Sequence, residues 1–173
     1  MNSRRGEVWD LYDFEGHPLG QTHPADMPMP EGCCHLVTSF WVVNPRGELL
    51  IQRRSELKQR APGLWSVTSG CVQAGEDSLQ GCIREVREEL GLEIDPGTLE
   101  RIFRLRGGRA LFDDYGTAQD LDLSQIVLQT EEVSEVKFAS PTEITALLEA
   151  GQFMYMREEI QRVFDWAERM LRG

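Results

Sequence analysis

The stretch from Gly70 to Leu92 constrains the fold more than any other part of the chain. It opens as "GCVQAGED", a turn broken by glycine, and continues as "SLQGCIREVREEL". Leu79, Cys82, Ile83, Val86 and Leu90 recur at helical spacing and form one apolar stripe. Asp77, with Gln80 three residues on, reads as a capping box, and Gly91 suits the left-handed position past a helix end. The pattern therefore predicts a helix over 78–90 with one face on a core. At about 100° per residue, Glu85, Glu88 and Glu89 share a sector about 100° wide beside that stripe. Like charges at such spacings cost roughly 0.2–0.5 kcal/mol per pair. A solvated acidic face tolerates that cost, whereas a bound cation reverses it. Arg84, one turn from Glu88, can orient it, and Gly81 leaves the sector uncrowded. Carboxylate oxygens suit Mg²⁺ or Mn²⁺, and a carbonyl from the loop containing Gly70 can join them.

Elsewhere the periodicity alternates between strand and helix. "LVTSFWVV" (36–43) and "ELLIQR" (48–53) read as strands joined by a turn at "NPRG". "WSVTSG" (65–70), "RIFRLR", "RALF", "SQIVLQ" and "SEVKFA" are further strand candidates. The segment 14–32 is rich in Gly, Pro, His and Asp and reads as loop, after a short N-terminal piece, "EVWDLYD". Ser140, Pro141 and Glu143 start a helix over 140–151. Ile160, Val163, Phe164, Ala167 and Leu171 give a C-terminal helix over 157–172 one apolar face. Strands, a helix, more strands and two helices imply an α/β fold with a mixed sheet between helical layers. One domain is expected over 1–173, with 1–34 as an N-terminal extension.

Charge narrows the partners. A net charge of −11 and a pI near 4.7 argue against non-specific nucleic-acid binding. A phosphorylated small molecule remains compatible where a metal ion supplies local positive charge. No apolar stretch approaches the length of a membrane span. The opening "MNSRRGEVWD" lacks a signal-peptide core, and none of Cys33, Cys34, Cys71 and Cys82 forms a C-x-x-C pair, so a reduced, cytoplasmic protein is expected. "CCH" at 33–35 lacks zinc-site spacing and reads as structural.

Residues 70–92 match at all nine specified positions the pattern G-x5-E-x7-R-E-U-x-E-E-x-G-U, with U aliphatic. A chance match is on the order of one in a billion per starting position. The chain thus resembles the Nudix hydrolase family, which implies an α/β/α sandwich with a mixed central sheet. The resemblance implies metal ligation by Glu85, Glu88 and Glu89 with help from the Gly70 carbonyl, and a loop–helix unit braced by Glu76, Arg84 and Gly91. It also offers Glu85 as a base and Mg²⁺ or Mn²⁺ as cofactor. The implied reaction is hydrolysis of a small-molecule diphosphate linked to another moiety, nucleotide-like or isoprenoid. A further acid often comes from a distant loop, and Asp120, Asp122, Glu131 and Glu132 are the candidates. A homodimer is compatible with the family.

Roughly the first 95 residues are similar to the branch that includes isopentenyl diphosphate isomerases. There Arg54 and Lys58 correspond to residues facing the substrate diphosphate, and cations suit that task. Isomerase chemistry is damaged at several positions. Ser69 stands where the isomerase has its catalytic Cys, Cys71 and Pro28 replace metal-binding His, and Glu85 replaces an Arg, while His35 is kept. An isomerase with a relocated Cys71 and a non-catalytic nucleotide sensor are the alternatives. Sequence markers of ADP-ribose, dinucleoside polyphosphate or coenzyme A specificity are not evident.

Overall fold

The computed structural model describes residues 6–173, so the first five residues of the expected extension lie outside the described residues. β1 (Val8–Tyr12) and β2 (Pro18–Pro24) form an antiparallel hairpin. Then come β3 (His35–Val43), β4 (Leu49–Arg54), β5 (Trp65–Ser66), β6 (Thr68–Cys71) and α1 (Ser78–Leu90). β7 (Glu100–Gly107), β8 (Ala110–Ala118), β9 (Val133–Ala139), α2 (Pro141–Glu149) and α3 (Arg157–Arg172) complete the order. β3 to β9 make a seven-stranded mixed sheet in which β3 pairs in parallel with β8 and the other pairs are antiparallel.

The alternation of β3 and β4 builds the layers. Phe40, Val42 and Leu50 face α1, where Cys82, Val86, Leu90 and Ile94 complete one core. Trp41, Val43, Leu49 and Ile51 face the other way, onto Ile144 of α2 and Ile160, Val163, Trp166 and Ala167 of α3. Each fully buried Val or Leu contributes about 1.5–3 kcal/mol. The result is the expected α/β/α sandwich. α1 begins at the Asp77–Gln80 capping box and ends at Gly91, whose φ is 66°. β3 and β4 meet only beside their turn, at Val43 and Leu49, and β6 then takes that flank of β3 at Val37–Phe40. β4 therefore diverges from β3, and the divergence leaves room under the C-terminal half of α1.

Four expectations need correcting. The segment 14–32 contains β2, which is almost wholly exposed and so carries no buried alternation to betray it. "SQIVLQ" is not a strand. It holds a single 3₁₀ turn at Leu123–Gln125, and its backbone is spent on α1, with Val127 N donating to Leu90 O and Gln129 N to Glu89 O. "RALF" is only the start of β8, which runs on through the buried Asp113 and Asp114. On α3, Leu171 is exposed and Trp166 takes the core position instead. A Cβ on Gly116 of β8 would run into the Trp166 ring, so that glycine makes the space.

Candidate active site

Gly70 and Glu85 are in direct contact. A Cβ built on Gly70 would overlap the Glu85 carboxylate, so the absence of a side chain in β6 is what seats that acid. Arg84 fixes it from the other side. Its guanidinium donates to Glu85 Oε1 at 2.6 Å, to Glu76 at 2.8 and 3.1 Å, to Cys71 O at 2.9 Å and to Glu88 Oε2 at 3.3 Å. Burial works against the Arg84 charge, but the Glu76 and Glu85 carboxylates outweigh it and raise its pKa. Burial pushes the Glu85 carboxyl up, with Arg84 opposing. Glu76 also closes the turn before α1, accepting from Gln73 N at 3.0 Å. Gly81 lets α1 approach β6 closely, since a Cβ there would press on Val72.

Glu89 sits deeper, in the space where β4 leaves β3. Gln52 Nε2 donates to it at 2.7 Å, and Gln52 is itself held by Thr68 Oγ1 at 2.7 Å. Burial pushes the Glu89 carboxyl up to about 7, against the Gln52 hydrogen bond. Glu85 adds to that rise, while Lys58 and Arg54 act against it. Both cations therefore bear on the same site. Lys58 is paired with Glu132, and Arg54 donates to Arg60 O at 3.0 and 3.1 Å. Glu88 is exposed and reaches Arg84 from one turn further along the helix. Among the described residues, no three His, Cys, Asp or Glu side chains are gathered closely enough to form a metal cage. Each acid has a protein partner instead: Arg84 for Glu85 and Glu88, and Gln52 for Glu89.

The strand fixes which carbonyls face these acids. Val72 N donates to Leu36 O on β3, and Cys71 O accepts from Arg84 on the open side. Alternation then turns the Gly70 carbonyl towards β3 and the Ser69 carbonyl towards the open edge. The Gly70 carbonyl, expected from the sequence to join the acids, thus lies on the β3 side of the strand, a direction that residue spacing does not reveal. Gly91 closes α1 by donating to Arg87 O at 3.0 Å.

The four distal acids separate clearly. Asp122 caps the 3₁₀ turn through Ser124 N, and Asp120 and Glu131 are exposed. Glu132 alone of these four is paired with a cation of the site, Lys58. Its loop is tied to β4 by Ser55 N on Glu132 O, and to α1 through Gln129. Trp41 is fully buried core, and His35 stacks on Trp9 with ring centroids 4.1 Å apart. Among the described residues no cysteine forms a disulfide. No helix among the described residues is long and apolar enough to cross a membrane.

A family model described as NUDIX domain matches residues 35–161. An uncharacterized Nudix hydrolase of Listeria innocua is 37% identical over 150 residues, covering 86% of this chain and 88% of that protein. The isopentenyl-diphosphate Delta-isomerase of Corynebacterium glutamicum is 38% identical over 91 residues, covering 51% of this chain and 48% of that enzyme. Among solved structures, DR0079 of Deinococcus radiodurans shares the fold at a TM-score of 0.76 and 24% identity, covering 90% of this chain and 98% of that one. The NUDIX domain of Shewanella oneidensis NrtR, complexed with ADP ribose, aligns at a TM-score of 0.60 and 16% identity, covering 88% of this chain and 96% of that one. By the matched span and by relatives that cover 86% of the chain, this protein belongs to the NUDIX domain family.

Proposed function

We propose that this protein is a divalent-metal-dependent pyrophosphohydrolase that cleaves a diphosphate linked to a second moiety, nucleotide-like or isoprenoid. The observation that carries this reading is the seat of Glu85: a carboxylate held on the bare α-carbon of Gly70, braced by Arg84 and adjoined by the buried Glu89. The donor set fits Mg²⁺ or Mn²⁺. It is made of hard oxygens, and Mg²⁺ keeps several waters and needs no closed protein cage. Glu85, Glu88 and Glu89 would hold the ion, with the Ser69 carbonyl in the place expected of Gly70. Such an ion, when bound, supplies charge neutralisation for the diphosphate and acidifies the attacking water.

The remaining residues act directly on substrate or on those acids. Arg54 and Lys58 clamp the phosphates by charge-assisted hydrogen bonds. Arg84 and Glu76 lock the turn to the helix, so that Glu85 meets its ligand in a fixed orientation. Glu132 is the distal acid best placed to take a proton from water, since its pairing with Lys58 puts it beside the phosphate clamp. That a solved neighbour of the same fold carries ADP ribose supports a nucleotide-linked diphosphate as one substrate class.

The half-length match to isomerases keeps a second reading in view. Against it, Ser69 supplies no thiol at the attacking position, and Glu85 brings a negative charge where a diphosphate-binding cation is required. A panel of nucleotide and isoprenoid diphosphates, incubated with Mg²⁺ and with Mn²⁺ and read as the inorganic phosphate that a coupling phosphatase then frees from the phosphomonoester products, tests the proposal. Hydrolysis that needs the metal and falls about a thousandfold in Glu85→Gln is expected. Conversion of isopentenyl diphosphate to its allylic isomer without phosphate release would replace hydrolase with isomerase.

A further inference from the structure

The N-terminal hairpin grips the loop that precedes α1. Ala74 N donates to Val8 O at 2.7 Å and Gly75 N to the Asp10 side chain, Oδ2, at 2.8 Å. These are two successive amides of the turn 73–76, which Glu76 N closes onto Gln73 O at 3.0 Å. The turn is therefore held on two sides. Its outer amides go to β1, while Glu76 reaches inward to Arg84, and Arg84 to Glu85. The hairpin is anchored in turn. Trp9 and Leu11 are buried, Trp9 stacks on His35, and Tyr12 and Cys34 exchange both backbone hydrogen bonds, at 2.9 and 2.8 Å.

We infer that Asp10 is a positioning residue for the acidic site: it fixes the turn 73–76, and through Glu76 and Arg84 the orientation of Glu85. Its carboxylate touches none of the three α1 acids, so it acts only through the turn. Gly75 has a φ of 86°, and nothing lies near the position a Cβ would take, so no side-chain packing on that face holds it in place. The hydrogen bonds that Ala74 N and Gly75 N donate to β1 do. Groups that orient a metal-binding carboxylate at one remove, as Arg84 does, are typically worth 10- to 100-fold in affinity or activity, and Asp10, further along the same chain of contacts, is assigned the low end of that range. The inference rests on the metal-dependent reading above, and the test separates the two.

Asp10→Ala removes the acceptor, and Asp10→Asn keeps an acceptor oxygen without the charge. Three quantities are compared with the unaltered protein: Mn²⁺ affinity by titration calorimetry, kcat and KM on the best diphosphate, and amide hydrogen exchange at Ala74 and Gly75. Asp10→Ala is expected to exchange faster at Gly75, to bind Mn²⁺ about tenfold more weakly and to lose about tenfold in kcat with KM little changed. Asp10→Asn is expected to restore all three to within about twofold. Equal Mn²⁺ affinity and kcat in Asp10→Ala would overturn the inference, as would an Asp10→Asn protein no better than Asp10→Ala. If the unaltered protein neither binds Mn²⁺ nor hydrolyses any diphosphate, the hydrolase reading fails. Unchanged exchange at Gly75 in Asp10→Ala would then remove the clamp on its own.

Discussion

Asp113 and Glu89 are both buried carboxylates, and the chain treats them in opposite ways. Asp113, on β8, receives a two-pronged pair from Arg104 at 2.6 Å for each bond, with Arg101 at 3.6 Å. Burial opposes its charge, yet the arginines hold its pKa below the usual carboxylate range. Glu89, on α1, receives one neutral amide from Gln52 and faces a second acid, Glu85. Its carboxyl is pushed up to about 7. Asp114 gives the control. It too is pushed up to about 7 by burial, but Trp41 Nε1 caps it at 2.7 Å on the α3 side of the sheet. A raised carboxyl alone therefore does not mark a site. What distinguishes Glu89 is a neighbouring acid with its own glycine-cut seat, and two cations close enough to act on it.

The sharpest way to separate these regions is to neutralise one acid in each. Glu85→Gln is expected to lower kcat by about a thousandfold, roughly 4 kcal/mol of transition-state stabilisation, with the thermal midpoint unchanged or raised. Midpoint and steady-state kinetics measured on one preparation check both halves of that statement. Asp113→Asn should do the reverse. It leaves Arg104 without its charged partner and costs roughly 3 kcal/mol in urea unfolding, while the folded fraction keeps its kcat.

A smaller effect, between about 10- and 100-fold in metal affinity and kcat, is expected for Arg84→Lys. An ammonium cannot span Glu76, Glu85 and Cys71 O together as the guanidinium does. Full activity in that variant would dissolve the brace. The smallest effect is a pH dependence. Because the folded pKa values of Glu89 and Asp114 lie above their unfolded ones, the unfolded chain binds fewer protons between them. Stability without divalent ions should therefore fall as pH rises from about 5 to about 7.5, and Glu89→Gln should flatten part of that slope. Added Mg²⁺ should stabilise more at pH 7.5 than at pH 5.5, because it binds the ionised carboxylates. A slope of the opposite sign would mean that Glu89 is not buried as a lone charge.

Helix α1, its caps and its three acids were legible in the sequence because they are local: spacing, capping chemistry and one glycine define them within 23 residues. The strands β3 and β4 were legible for the same reason. What escaped depends on distant partners. β8 hides its length because Asp113 and Asp114 look like surface residues until Arg104 and Trp41 meet them. Trp166 enters the core only because Gly116, fifty positions earlier, leaves the space. β2 buries nothing, so its pairing with β1 leaves no trace in hydrophobic pattern. At the site, sequence placed Gly70 beside the acids but not the direction of its carbonyl. Among the distal acids, only the contact with Lys58 singles out Glu132.

Divalent-ion binding by the acids of α1 is the central claim. Anomalous diffraction from crystals grown in Mn²⁺ tests it most directly. The expected result is a manganese peak within coordination distance of Glu85 and at least one of Glu88 and Glu89, absent from Glu85→Gln crystals grown the same way. A protein saturated with Mn²⁺ that shows no peak there, with Glu85 still held by Arg84, would contradict it.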